Sequence, residues 1–198
     1  WLSDEIKDIR AQYPGKKIIF SMGRLVSYKG YEYLISAMTH LPEEYVLLIG
    51  SDGPLKEQLQ QQIEELGLKD RVTLLGGLKE EKKQAYFGAC DVFCLSSVMK
   101  TEAYAIVLVE AMSLGRPVIA TKIPESGVSW VNAHEVSGLN VPVRDPEALA
   151  EAIHKICGDP ELWKRYSQGA RQRYDDIFTK DEMINNLIET YTQLLNNN

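Results

Sequence analysis

Two carboxylates, Glu102 and Glu110, stand eight residues apart in the segment Ser96 to Glu110, SSVMKTEAYAIVLVE. A second segment, Gly23-Arg24-Leu25-Val26-Ser27-Tyr28-Lys29-Gly30, carries two cations in a loop. A guanidinium offers a planar fork to two phosphate oxygens, and an ammonium supplies a point charge for another. Carboxylates accept hydrogen bonds from hydroxyls. Gly23 lets the backbone approach a ligand closely. If the fold brings the two segments together, fixed cations for a phosphate and fixed acceptors for hydroxyls share one site.

Each segment alone is a modest signal. The first is not a Walker A loop, because the glycine before the lysine is missing, and the chain has no GxGxxG. Taken singly, it reads equally well as a surface loop with two solvated cations. Two glutamates at this spacing are common by chance and fit a solvated helix face. Glu110, however, sits inside the apolar run IVLVEAM, where a carboxylate is costly to desolvate without a partner. The spacing places Glu102 before a helix and Glu110 in its second turn. Along a helix eight residues rise roughly 12 Å, enough for the pair to straddle a diphosphate. The amides of Ala103 to Val107 would be free donors at the helix N-terminus.

The elements that must position these groups alternate. Strand-like runs read as Lys17 to Met22, Tyr45 to Ile49, Arg71 to Leu75, Asp91 to Leu95, Pro117 to Thr121 and a short Leu139 to Val143. Helix-like stretches read as Tyr31 to His40, Leu55 to Leu66, Glu80 to Cys90 and Ile106 to Leu114. The second of these carries Leu59, Ile63 and Leu66 on one face, with Pro54 at its first turn and Gly67 at its C-cap. From Pro146 the chain reads as helical: Pro146 to Cys157, Pro160 to Ile177 and Lys180 to Leu195, with Asp145, Asp159 and Thr179 as N-caps and residues 196–198 frayed. The opening segment is polar and receives no element. The stretch Lys122 to Gly138 reads as a long irregular loop.

Such alternation predicts an α/β fold: a doubly wound, Rossmann-like, mostly parallel sheet with a C-terminal helical tail. In strand order 3-2-1-4-5-6, ligands bind outside the carboxyl ends of strands 1 and 4, where the order reverses. The loops that follow those strands are the two segments above. A nucleotide sugar suits what they carry.

Composition limits the alternatives. The chain has 198 residues, 44% apolar and 25% charged, which suits one large domain or a domain with a helical tail. The net charge of -6 does not favour nucleic acid or anionic lipid as a partner. No run approaches the roughly 20 apolar residues of a membrane span. No signal peptide is visible, and the start without Met suggests a piece of a longer protein. Cys90, Cys94 and Cys157 read as buried thiols of a reducing cytoplasm, and His40, His134 and His154 lack metal-ligand spacing.

The chain resembles the C-terminal, donor-binding domain of a retaining GT-B glycosyltransferase of glycosyltransferase family 4 (group 1). The resemblance rests on GRLVSYKG, IGSDGP, VTLLGGL, ACDVFCLSSVMKTEAYAIVLVEAMSLGRPVIAT and VSGLNVPVRDPEALAEAI in that order, and covers nearly the whole chain. It implies one nucleotide-sugar-binding domain over 1–198, with an α/β core at 14–158 and C-terminal helices at 159–198, as one half of a GT-B fold. The N-terminal acceptor domain would be absent, and this piece alone would be inactive. Arg24 and Lys29 would bind the donor diphosphate and stabilise the leaving nucleotide. Glu102 would hold donor-sugar hydroxyls near the reacting carbon, and Glu110 would bind the ribose. Gly23, Gly53, Gly77, Leu78, Ala103, Tyr104, Ala105, Ile106 and Val107 would line the donor site.

No cofactor and no metal is implied, since Arg and Lys replace a metal at the diphosphate, and the chain has no Asp-x-Asp. The implied partners are a nucleotide sugar and a glycan or lipid-linked acceptor, with the parent cytoplasmic or peripheral to the inner face of a membrane. Polysaccharide synthesis at a cell surface is the implied role. A sugar-nucleotide epimerase of related fold, a phosphorylase and a non-catalytic nucleotide-binding module stay as alternatives. One departure stands out: where the family often carries glycine around Tyr104, this chain has Ala103 and Ala105. A positive φ there would strain alanine. Glu125, Trp130 and His134 could touch the acceptor side, but packing or a plain loop role is the favoured reading of each.

Overall fold

The computed structural model describes residues 2–196. Helix α1 (Leu2–Gln12) precedes β1 (Lys17–Met22), a 3-10 turn (Ser27–Lys29) and α2 (Tyr31–Ala37). Then come β2 (Tyr45–Gly50), α3 (Lys56–Glu65), β3 (Val72–Gly76), α4 (Glu80–Ala89) and β4 (Val92–Leu95). Next are α5 (Ile106–Ser113), β5 (Val118–Thr121), α6 (Val128–Val131) and β6 (Gly138–Val141). Helices α7 (Pro146–Gly158), α8 (Pro160–Arg173) and α9 (Lys180–Asn196) complete the described chain.

The six strands form one sheet in the order β3-β2-β1-β4-β5-β6, and every neighbouring pair is parallel. The order reverses between β1 and β4, as the alternation predicts. Both faces of the sheet are covered, so its central strands are apolar without alternation. In β1, Ile19 packs with Leu34 of α2 and Ile153 of α7, whereas Ile18 and Phe20 pack with Phe87 of α4 and Leu108 and Met112 of α5. Phe20 meets Phe87 edge to face at a centroid distance of 5.1 Å, which ties β1 to α4.

Several elements differ from the sequence reading. The polar opening segment is helical, because Ile9 and Ile6 pack on Ala85 and Ala89 of α4. Arg10 also makes a bidentate pair with Asp91, at 2.9 and 2.6 Å. The second helix ends as α-helix at Ala37 and continues as a 3-10 turn, Met38–His40. Pro54 lies in a turn two residues ahead of α3. Leu66 is 40% exposed while Leu68 is buried, because Gly67 takes φ 68° and turns the chain back onto the core. The stretch 122–138 contains α6, and the sixth strand starts at Gly138 and ends at Val141. Helix α8 ends at Arg173, and Tyr174–Phe178 winds as a π turn.

The N-caps are where the sequence places them: Asp145 accepts from Ala148 N–H at 2.9 Å, Asp159 from Glu161 and Leu162, and Thr179 from Glu182. Asn196 closes α9, while Trp1, Asn197 and Asn198 lie outside the described residues. Helix α8 docks back on the sheet, with Trp163 Nε1–H donating to Asp91 O at 2.6 Å. Among the described residues no helix is long and apolar enough to cross a membrane.

Candidate functional site

The crevice begins where β1 and β4 part. They pair only through Ile19↔Val92 and Phe20↔Phe93. Beyond that point Ser21 Oγ–H takes over, donating to Cys94 O at 2.7 Å. The two loops that follow lie side by side. Val98 N–H donates to Tyr28 O at 2.8 Å and Ser96 Oγ–H to Lys29 O at 2.9 Å. Gly30, at φ 64°, makes this approach feasible: a Cβ there would sit 2.3 Å from Ser96 O.

Lys29 and Glu102 meet in this crevice at 2.5 Å, and both side chains are nearly buried, at 11% and 10% exposure. Ser97 Oγ–H donates to the same Glu102 oxygen at 2.8 Å. Burying two charges is costly unless they are paired and hydrogen-bonded, and these are both. The Lys29 stem crosses Gly23, where a Cβ would lie 3.1 Å from Lys29 Cε and 3.0 Å from Tyr31 Oη. Tyr31 O–H in turn donates to Gly23 O at 2.7 Å. Here Gly23 admits the chain's own lysine and tyrosine. The Arg24 guanidinium is exposed, with no hydrogen-bond or ion-pair partner among the described residues. It thus presents open donors at the crevice rim.

Glu102 lies in a non-helical turn before the helix, as the spacing places it, but most of the span to Glu110 is then not helical rise. Helix α5 starts at Ile106, where the sequence reading has it, because Ala105 takes φ 58°, ψ 68° and breaks the helical path. The 12 Å rise along a helix therefore does not separate Glu102 from Glu110. Of the five amides expected at a helix N-terminus, only those of Ile106 and Val107 belong to the first helical turn, where no intrahelical acceptor exists. Ala103 to Ala105 form the turn itself. The strained alanine is Ala105, the second of the two positions. Two contacts from the segment before α6 hold the turn: Ser126 Oγ–H to Glu102 O at 2.5 Å and Gly127 N–H to Ala103 O at 2.9 Å.

Glu110 has the partner its apolar surroundings demand. Lys83 Nζ donates to Glu110 Oε1 at 2.7 Å and also pairs with Glu80 at 2.9 Å. A groove of about 610 Å³ opens beside this pair, lined by Tyr104, Ile106, Glu110, Tyr174 and Phe178. A concavity of about 720 Å³ lies away from the crevice, between Gly115 and Arg171. Arg171 there is already paired with Asp175.

Because all strands are parallel, the loops after β2 and β3 share the carboxyl rim with the crevice. Asp52 O accepts from Leu25 N–H at 3.1 Å, which seats Gly53 against the first loop. Gly77 is exposed at the end of β3, and Leu78 is half-buried near Gly50. Tyr104 is partly exposed, with ring centroids 6.3 Å from both Trp130 and Phe178. Trp130 also lies under Arg173, Glu125 pairs with exposed Lys100, and His134 Nδ1 accepts from Asn140 N–H. Each of the three thus has a partner within the chain. Among the described residues no group of three or more His, Cys, Asp or Glu could hold a metal ion. Sequence reasoning missed Lys83, Ser97, Tyr31 and Ser126. The first sits in EEKK, which looks like a solvated helix start, and the others carry no charge to mark them.

The family model described as "Glycosyl transferases group 1" matches residues 3–173. The chain belongs to the group 1 glycosyltransferases. This glycosyltransferase chain is 32% identical over 183 residues to O-antigen chain mannosyltransferase C of Escherichia coli, covering 91% of this chain and 48% of that protein. It is 33% identical over 174 residues to the lipopolysaccharide core biosynthesis glycosyltransferase LpsD of Rhizobium meliloti strain 1021, covering 88% and 49%. Its fold superposes on Anabaena HepE, solved with UDP-glucose, at a TM-score of 0.85 and 26% identity, over 96% of this chain and 53% of that one. The chain thus spans about half the length of the relatives it matches.

Proposed function

We propose that this glycosyltransferase chain binds a nucleotide-diphosphate sugar, and that its parent transfers the sugar to an acceptor with retention of configuration, as in glycosyltransferase family 4. The observation that carries the reading is the Lys29–Glu102 pair, which joins the loops after β1 and β4 at the switch point of the sheet. Lys29 and Arg24 place positive charge where a departing nucleoside diphosphate becomes more negative. Such groups favour the transition state over the bound donor. The free amides of Ile106 and Val107 add donors at the same rim. Glu102, on the other side of Lys29, is suited to accept from donor-sugar hydroxyls, and Glu110 from the ribose. These groups need no metal at the diphosphate.

The relatives named for mannose transfer and lipopolysaccharide synthesis support a role in cell-surface polysaccharide synthesis, and HepE with UDP-glucose supports a nucleotide-sugar donor. In this reading the acceptor, a glycan or lipid-linked glycan, is held by the half those relatives have in addition. This chain alone binds nucleotide and transfers nothing. The parent works in the cytoplasm, at the inner face of the membrane.

Calorimetric titration with UDP, GDP, UDP-glucose and GDP-mannose tests the reading. Saturable binding of one nucleotide series, lost in Lys29→Ala and weakened in Glu102→Gln, is expected. No binding of either series would contradict it. Nucleotide binding indifferent to Glu102 would favour a sensing module instead.

A further inference from the structure

Lys83 stands out among charged groups that the reading above leaves without a role. Its side chain is only 13% exposed, and it reaches from α4 across to Glu110 on α5. It lies in the first turn and a half of α4, where a cation opposes the helix dipole. Helix stability alone therefore does not explain it. Burial pulls the Lys83 ammonium down, but hydrogen bonds to Glu110 and Glu80 outweigh that and raise it above its ordinary value. The group is thus firmly cationic at neutral pH.

An ammonium has three donors. One goes to Glu110 Oε1 and one to Glu80, which leaves a third. Glu110 Oε2 has no donor among the described residues. A carboxylate on a free side chain samples several rotamers; one clamped through Oε1 presents Oε2 in a single direction. Helix α4 also follows the Gly77-Leu78 loop directly, so Lys83 ties that loop's helix to the Glu110 carboxylate.

We propose that Lys83 is a positioning residue for nucleoside recognition: it pins one oxygen of Glu110 so that the other accepts from a ribose hydroxyl. The inference rests on the donor-site reading above and adds to it a residue and a selectivity. The clamped carboxylate discriminates ribose from deoxyribose, whereas an unclamped one turns toward water and loses that discrimination.

The test uses this chain and whichever of UDP and GDP binds it more tightly, together with its 2′-deoxy and 3′-deoxy forms. For the unaltered chain, removal of one of the two hydroxyls weakens binding about tenfold, the scale of one lost charge-assisted hydrogen bond. In Lys83→Met that penalty shrinks to about twofold or less, and inorganic pyrophosphate, which has no ribose, binds as before. Glu80→Gln, which removes the other partner of Lys83 without touching Glu110, retains the full penalty. If Lys83→Met does not fold, Lys83→Gln is read the same way. An unchanged ribose-to-deoxyribose ratio in a folded Lys83 variant overturns the role of Lys83 and leaves the donor site standing. If the unaltered chain binds neither nucleotide, or binds ribose and deoxyribose forms equally, the ribose reading of Glu110 falls and this inference with it.

Discussion

The Lys29 ammonium and the Glu102 carboxylate, 73 residues apart in sequence, meet at 2.5 Å in the crevice where the strand order reverses. Among the described residues each is the only charged partner of the other, and Ser97 donates to the same Glu102 oxygen. Removing one member leaves a nearly buried charge uncompensated. Such losses cost about 3 kcal/mol, discounted at the lower end because both groups keep some solvent contact. Lys29→Ala is therefore expected to lower the urea midpoint clearly yet leave a folded chain. On the proposed function, the same substitution in the full-length protein lowers sugar transfer about 100-fold to 1000-fold. Near-normal turnover in a folded variant would remove Lys29 from the mechanism.

Gly30→Ala separates the loops. The added methyl would meet Ser96 O, which is backbone and cannot swing aside, at a position with φ 64°. A loss of about 2 to 4 kcal/mol follows from strain and displacement together. Denaturant unfolding measures it, and nucleotide affinity falls in parallel.

Ala105→Gly acts in the opposite direction. Alanine at φ 58° carries about 1 kcal/mol of strain that glycine relieves, partly offset by greater freedom in the unfolded chain. A gain of about 0.5 kcal/mol in urea unfolding is expected. A loss larger than that would show that the methyl packs better than the strain costs.

Alkaline pH weakens the fold through its thiols. Burial pushes Cys90 up to about 12, and burial likewise raises Cys94 and Cys157 above the ordinary 9.0. The folded chain keeps protons that the unfolded chain releases above the ordinary value. Stability is therefore full below about pH 9 and falls as pH rises toward 12. Urea midpoints at about pH 7 and pH 10 check the sign, and replacement of Cys90 by Ala shrinks the difference.

Much of this was legible in the sequence. The apolar runs and their turn residues place all six strands and, through the order rule, the switch point. The pairing of the two loops followed from topology alone. Helix α1 was not legible, because its polar face hides an apolar side, Ile6 and Ile9, that only the partner helix α4 reveals. The start of α5 at Ile106 was legible, but the shape of the turn before it was not, because it lies in the φ of Ala105, and alanine is the residue least suggestive of a left-handed turn. The Lys83–Glu110 clamp joins two residues 27 apart on different helices, a separation no local pattern encodes.

Amide chemical-shift mapping of the isotope-labelled chain during titration with UDP or GDP tests the central claim most directly. The account predicts shifts concentrated at Gly23, Arg24, Gly30 and Ala103 to Val107, from both loops at the same ligand concentration. Shifts confined to one loop, or centred on α8 and α9, would contradict it.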